Sequence, residues 1–98
     1  MIVVTGSFIA KDNHFDEALE LSLEHTQRTR LEDGCLLFSV NIDAENQNRM
    51  VFIEGWRDMP ALRVHLRTYA CKEFAARVND LAVSVEPLSI YEAQQLMD

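Results

Sequence analysis

A chain of 98 residues has room for one core, and 48% hydrophobic with 26% charged residues is the balance of a folded domain in water. The formal net charge of −7 disfavours nucleic acid and anionic membrane surfaces as partners. No apolar run approaches the ~20 residues that span a bilayer, and the opening MIVVTG has no basic segment ahead of its apolar residues, so neither a span nor a signal peptide is expected and a cytoplasmic location is.

Ile2 to Ala10 reads as the first strand, with Ile2, Val4, Gly6 and Phe8 on one face and Val3, Thr5, Ser7 and Ile9 on the other. Gly6 in mid-strand predicts a bulge or a close approach by another group. Asn13 to Arg30 reads as a helix, capped by Asn13 or Asp12, with acids at its start and Arg28 and Arg30 at its end, as the macrodipole favours. Phe15, Ala18, Leu19, Ser22, Leu23 and Thr26 form the expected buried stripe; His14 and His25 fall off it and are expected at the surface. Gly34 ends this segment as a residue able to take a positive φ.

Cys35 to Ile42 is the second expected strand, DAENQN (43–48) a polar hairpin loop, and Arg49 or Met50 to Trp56 the third strand. A second helical region starts after Asp58, a side chain suited to cap it, with Pro60 in the first turn, where an amide donor is not needed. Ala61, Leu62, His65, Leu66 and Tyr69 recur on one face, so His65 lies within the apolar stripe. The pattern shifts phase at Phe74, Val78 and Leu81, which predicts a break near Thr68 to Ala70 in a region reaching Asp80. Ala82 to Tyr91 is the fourth strand; Pro87 removes a ladder donor and predicts an edge, a bulge or an interruption there. Residues 92–98 form a short tail, so the whole chain is expected to be one domain.

The order β-α-β-β-α-β predicts a ferredoxin-like α+β fold, a four-stranded antiparallel sheet with helices on one face. The strands carry apolar residues on both faces: Leu36, Phe38, Val40 and Ile42 against Cys35 and Leu37, then Met50, Phe52 and Trp56 against Val51 and Ile53. A second apolar face predicts a homodimer packed sheet to sheet. Cys35 and Cys71 have no CxxC spacing and are expected to be buried reduced thiols. His14, His25 and His65 fall on different elements or faces, so no metal cluster is expected, and no phosphate loop or dinucleotide fingerprint is present.

The runs TRLEDGCLLFSVNID, VFIEGWRDMPALRVHLRT and EFAARV resemble the antibiotic biosynthesis monooxygenase family, through Arg30, Glu32, Gly34, Cys35, Glu54, Trp56 and His65 in that order. The resemblance implies a dimeric α+β barrel with a pocket in each subunit between sheet and helices. It also implies a quinol monooxygenase-like activity without metal or flavin, or one of the family's other reactions, an isomerisation of a phosphorylated compound or heme degradation. The heme-degrading members use an Asn, Trp and His set, and the first strand here has Thr5 and Ser7 where that Asn would stand.

Oxygenation without a cofactor needs a base, an apolar pocket and exclusion of water. His65 is the expected base, since an ordinary imidazole titrates near ~6.5. Glu54 is expected to hold its tautomer or act as the base itself, with a structural alternative as the ion-pair partner of Arg49, Arg57 or Arg63. Trp56, Phe52, Tyr69 and Phe74 are suited to stack on a planar aromatic substrate, with Trp56 expected in the core ahead of that role; Thr5 and Ser7 are expected to bond a substrate oxygen. Arg30 and Glu32 are expected to fix the helix end and turn. Dioxygen and an aromatic small molecule are thus the expected partners, with no cofactor. The same His and Glu would serve a non-redox isomerase, and a barrel without chemistry would be a binding module.

Overall fold

The structure, a computed structural model, describes residues 1–98. In chain order it has β1 (Ile2–Ala10), α1 (Phe15–Thr29), β2 (Cys35–Asp43), β3 (Asn46–Trp56), α2 (Met59–Arg67), α3 (Tyr69–Leu81) and β4 (Ala82–Glu92). All strand pairs are antiparallel and the order across the sheet is β2-β3-β1-β4. This is the expected ferredoxin-like arrangement, with the second helical region divided in two.

The division is local chemistry. Thr68 has extended backbone at ψ 147°, which ends α2, and its hydroxyl accepts from the Cys71 amide, which starts α3. The α2 start is as expected: the Asp58 carboxylate accepts from the Ala61 amide at 2.9 Å, and Pro60 sits in the first turn. The α1 start is not. Asn13 adopts φ 68° to turn the chain, Asp12 accepts from Asn48 across the loop, and no side chain caps the helix.

Alternation along β1 and β3 places Ile2, Val4, Phe8, Met50, Phe52 and Trp56 in the core beneath the helices, joined by Phe38, Ala18, Leu62, Val78 and Leu81. Two irregularities re-aim side chains. The register of β2 on β3 slips between Cys35 and Leu37, so Cys35 packs on the core and Leu36 is exposed, reversing the expected sides of these two residues. On β4 the register slips opposite Gly6, where Pro87 sits in an edge strand. Leu88 approaches Gly6 so closely that a Cβ there would lie 2.7 Å from Leu88 Cδ2, so both explanations for the glycine hold.

The face of the sheet away from the helices is mixed rather than uniformly apolar. Leu37, Val3 and Tyr91 lie in one cross-strand row with Gly55, whereas Ser39, Thr5 and Ser89 flank Ile53 in the next. No helix is long and apolar enough to cross a membrane.

Candidate active site

Between the sheet and the helices lies a cavity of about 420 Å³ that β4 borders on one side. Its walls include Phe8, Phe38, Phe52 and Phe74, the imidazoles of His25 and His65, the Glu54 carboxyl and the Cys71 thiol, with Val85, Pro87 and Leu88 on the β4 side.

His65 reaches the cavity from α2 and is almost wholly buried. Its Nδ1 lies 3.1 Å and 3.0 Å from the two oxygens of Glu32. A carboxylate accepts, so Nδ1 donates and Nε2 is left as the basic nitrogen. That Nε2 is 3.6 Å from Cys71 Sγ. Burial, then Glu54 and Glu32, push the Cys71 thiol up to about 11, so it keeps its proton and stands as a weak donor toward His65.

Glu32 is therefore the residue that orients the His65 imidazole, and Glu54 is not. Glu54 and Trp56 are neighbours on one face of β3, and the indole Nε1–H donates to Glu54 at 2.9 Å. Burial raises the Glu54 pKa above the ordinary carboxyl range, opposed by the Trp56 hydrogen bond and by His65. None of the expected arginine pairs forms; Arg57 binds Asp33 and Asp58, and Arg49 binds Asp43 and Glu86.

The Arg30–Cys35 segment explains how Glu32 arrives. Arg30 Nε donates to the Phe38 carbonyl at 2.9 Å, tying the end of α1 to β2. Gly34 takes φ 83°, and its carbonyl accepts from the Arg57 amide at 2.8 Å. The resulting turn presses against α2 and delivers the Glu32 carboxylate to His65. Gly34, Arg30 and Glu32 are all expected from the sequence to shape the turn; that Glu32 also bonds His65 emerges only from the fold, because the His lies on another element.

The other expected substrate contacts divide. Phe52 and Phe74 line the cavity, with ring centroids 5.8 Å apart. Trp56 is fully buried and packs on His65 at 4.8 Å between ring centroids, so it backs the imidazole from within the core and does not face the cavity. Tyr69, at the first residue of α3, is 79% exposed, because the break at Thr68 turns it out of the α2 stripe. Thr5 points to the outer face of the sheet by strand alternation, away from the cavity. Ser7 touches the cavity wall, but its hydroxyl accepts from Arg49 at 3.3 Å.

His25 is the main correction. It is buried on α1 and faces the cavity. The buried side of α1 runs Ala18, Ser22, His25, Thr26 and Thr29, while Leu23 is 42% exposed. The spacing 18-22-25-29 is helical and was available in the sequence; following the apolar side chains instead favoured Leu23. His25 stacks on Phe74 with centroids 4.0 Å apart and planes 3° from parallel, and Arg28 donates to its Nδ1 at 2.7 Å. Burial, then His65 and Arg28, lower its pKa from 6.5 to about 3.

The ligating atoms of His25, His65 and Cys71 lie within 4.8 Å of one another, so the expectation of no metal-ligand cluster is also corrected. Two nitrogens and a sulfur suit a soft cation, and Glu32 stands behind His65 as a carboxylate often stands behind a ligating imidazole. Two features oppose occupancy. Arg28 commits His25 Nδ1 as an acceptor, so Nε2 carries the ring proton and lacks the lone pair a metal needs. The thiol would also have to lose a proton it holds up to about 11.

The ferredoxin-like sheet thus carries a His–Glu pair beside an apolar cavity under its helices. Residues 1–77 match the model of the antibiotic biosynthesis monooxygenase family, and the chain belongs to that family. A candidate antibiotic biosynthesis monooxygenase from Deinococcus radiodurans superposes with a TM-score of 0.94 at 25% identity, covering 100% of this chain and 97% of that one. An antibiotic biosynthesis monooxygenase of known structure gives 0.88 at 26% identity, covering 97% of this chain and 100% of its own. An uncharacterized protein of Synechocystis sp. is 32% identical over 91 residues, 93% of this chain; the chain spans 62% of that relative's length. Membership of the family and likeness to these proteins support a role in oxygenating or binding a small molecule.

Proposed function

We propose that the protein is a cofactor-independent monooxygenase of a quinol-like or polyphenolic small molecule, with His65 as the base. The observation that carries this reading is the buried His65 imidazole, whose Nδ1 is held at 3.0 Å by the half-buried Glu32 carboxylate, beside a cavity walled by phenylalanines. In such a site a phenolic proton passes to His65 Nε2. The oxyanion gives one electron to dioxygen, and the radical pair recombines at carbon. One oxygen atom stays on the product and the other leaves as water. The substrate supplies the electrons, and the apolar walls keep bulk water from the reactive anion.

Oxygen uptake with a panel of quinols tests the reading. The wild type should exceed the uncatalysed rate on at least one, and His65→Ala should lower that excess by ~10²–10⁴-fold. Uptake at the uncatalysed rate by both proteins across the panel defeats the oxygenase for those compounds. Turnover that persists without dioxygen and exchanges a substrate proton with deuterated water would mark a non-redox isomerase using the same base. We propose too that the outer sheet face pairs with that of a second copy, as family membership and the Leu37–Val3–Tyr91 row support.

A further inference from the structure

The reading above leaves His25 without a role, although it occupies the cavity wall beside the base. We propose that His25 and His65 form a two-point site for one acidic hydroxyl group: the His25 Nε2–H donates to the same substrate oxygen whose proton His65 takes. This rests on reading the cavity as the substrate site, and it names the ligand class as a phenol or enol rather than an ether or a simple carbonyl.

Arg28 sets the tautomer of His25. A guanidinium has donors and no acceptor, so its 2.7 Å contact with Nδ1 makes that nitrogen an acceptor. The proton of the neutral ring is then on Nε2. Burial with His65 and Arg28 nearby keeps the ring neutral, its pKa lowered to about 3. The stack on Phe74 fixes its plane. No side chain or carbonyl accepts from Nε2, yet the buried polar side-chain atom sealed without a partner is Thr26 Oγ1, not this one. The His25 donor is therefore open to the cavity and waits for an acceptor that the protein does not provide.

His65 is the complement. Its Nδ1–H donates to Glu32, so its Nε2 carries a lone pair, met in the free protein only by the weak Cys71 S–H donor at 3.6 Å, which a stronger hydroxyl donor displaces. The two imidazoles present ligating atoms within 4.8 Å of each other, their ring centroids 5.5 Å apart. An oxygen about 2.9 Å from each nitrogen fits between them, since two such bonds span up to ~5.8 Å. A hydroxyl at that point donates to His65 and accepts from His25. When the transfer occurs, the O–H bond breaks, a bond from His65 Nε2 to hydrogen forms, and the electron pair stays on oxygen. His25 keeps its proton throughout, and its hydrogen bond becomes charge-assisted as the oxyanion develops. Two rings with opposite assignments, one donor and one base, are thus set by two different partners, Arg28 and Glu32.

Long-range proton–nitrogen correlation of the imidazoles, with 4-nitrophenol and 4-nitroanisole as probes, tests this on the unaltered protein. The free protein should show His25 protonated on Nε2 and bare on Nδ1. 4-Nitrophenol should move the His25 Nε2 and His65 Nε2 signals together, and the methyl ether should move neither. His25→Phe, which keeps an aromatic ring on Phe74, should weaken nitrophenol binding about tenfold and shift ionisation of the bound phenol toward its value in water. A proton on Nδ1 of His25, an unmoved Nε2 signal with nitrophenol bound, equal binding of the ether, or a folded His25→Phe protein with undiminished affinity would each overturn the proposal. So would failure of nitrophenol to bind. The readout needs no oxygen: engagement of the phenol by both rings without oxygen uptake on any quinol would defeat the monooxygenase and leave the two-point site standing.

Discussion

His25 and His65 are the same residue type 5.5 Å apart, and the chain gives them opposite surroundings. His65 faces the Glu32 carboxylate; His25 faces a guanidinium, with both rings sunk among aromatics. The His25 arrangement has a consequence for acid stability. An unfolded chain binds a proton at this position near 6.5, whereas the folded protein does so only near 3. Below the unfolded value the unfolded state holds more protons, so the contribution is full above about pH 6.5 and is lost progressively as pH falls toward about 3. Between about pH 6.5 and pH 5 this should remove about 1 to 2 kcal/mol. Urea unfolding of the wild type and of His25→Phe across that range should give slopes that differ by this amount, with the wild type the steeper. Equal slopes would show that His25 is not held neutral. Burial of Glu54 acts in the reverse sense: its raised pKa contributes stability at low pH that is lost as pH rises through the folded value. The wild-type curve therefore contains both, and only the difference from the variant isolates His25.

At the level of elements, the turn between α1 and β2 sets the Glu32–His65 geometry. Gly34 has φ 83°, and a Cβ on it would lie 2.5 Å from Ala61 Cβ on α2. Ala61 has no flexible end to swing aside, so backbone must move. Gly34→Ala should cost about 2–4 kcal/mol, combining left-handed strain with overpacking. It should also push the turn off α2 and draw Glu32 away from His65, so turnover per folded molecule should fall as well as the melting temperature. Unaltered stability would show that the turn yields freely; lost stability with full turnover would separate the turn from the base. The sequence conveyed much at this level. Strand alternation, the Asp58 cap, the helix break at Thr68 and the paired roles of Gly6 and Pro87 all come from local backbone chemistry, which a single sequence carries. What it did not convey depended on contacts between elements. Glu32 meets His65 across 33 positions, and nothing local to Glu32 announces that. Glu54 looked the better partner because it precedes the helix, but its carboxyl is taken by the indole two residues along its own strand. Cys35 and Leu36 exchanged sides through a register slip that their own residue types do not encode.

Only 22 of 98 residues are buried in the single chain, a small core for four strands and three helices, and the sheet is covered on one face alone. The uncovered face carries Leu37 at 48% and Ile53 at 38% exposure, beside Val3 and Tyr91. Its apolar row crosses all four strands at one end, where Met1 and Leu37 pack over Gly55. The polar remainder of the face, including Ser39, Asn41 and Thr5, is suited to the satisfied hydrogen bonds and trapped water of a rim. Pairing of two such faces would withdraw the row from water and add a second core at little loss of chain entropy, since the strands are already ordered. The wild type should therefore sediment as a dimer at micromolar concentration, and its melting temperature should rise with protein concentration, as mass action requires when folding and association are coupled. Leu37→Glu combined with Ile53→Glu places like charges on both copies of this face and should give a monomer with an unchanged circular dichroism spectrum. The cavity lies on the opposite side of the sheet, so nitrophenol binding should survive in that monomer if each subunit holds a complete site. A wild type that sediments as a monomer at every concentration would defeat the pairing; a monomeric variant that no longer binds would show that the second copy stiffens the sheet beneath His65.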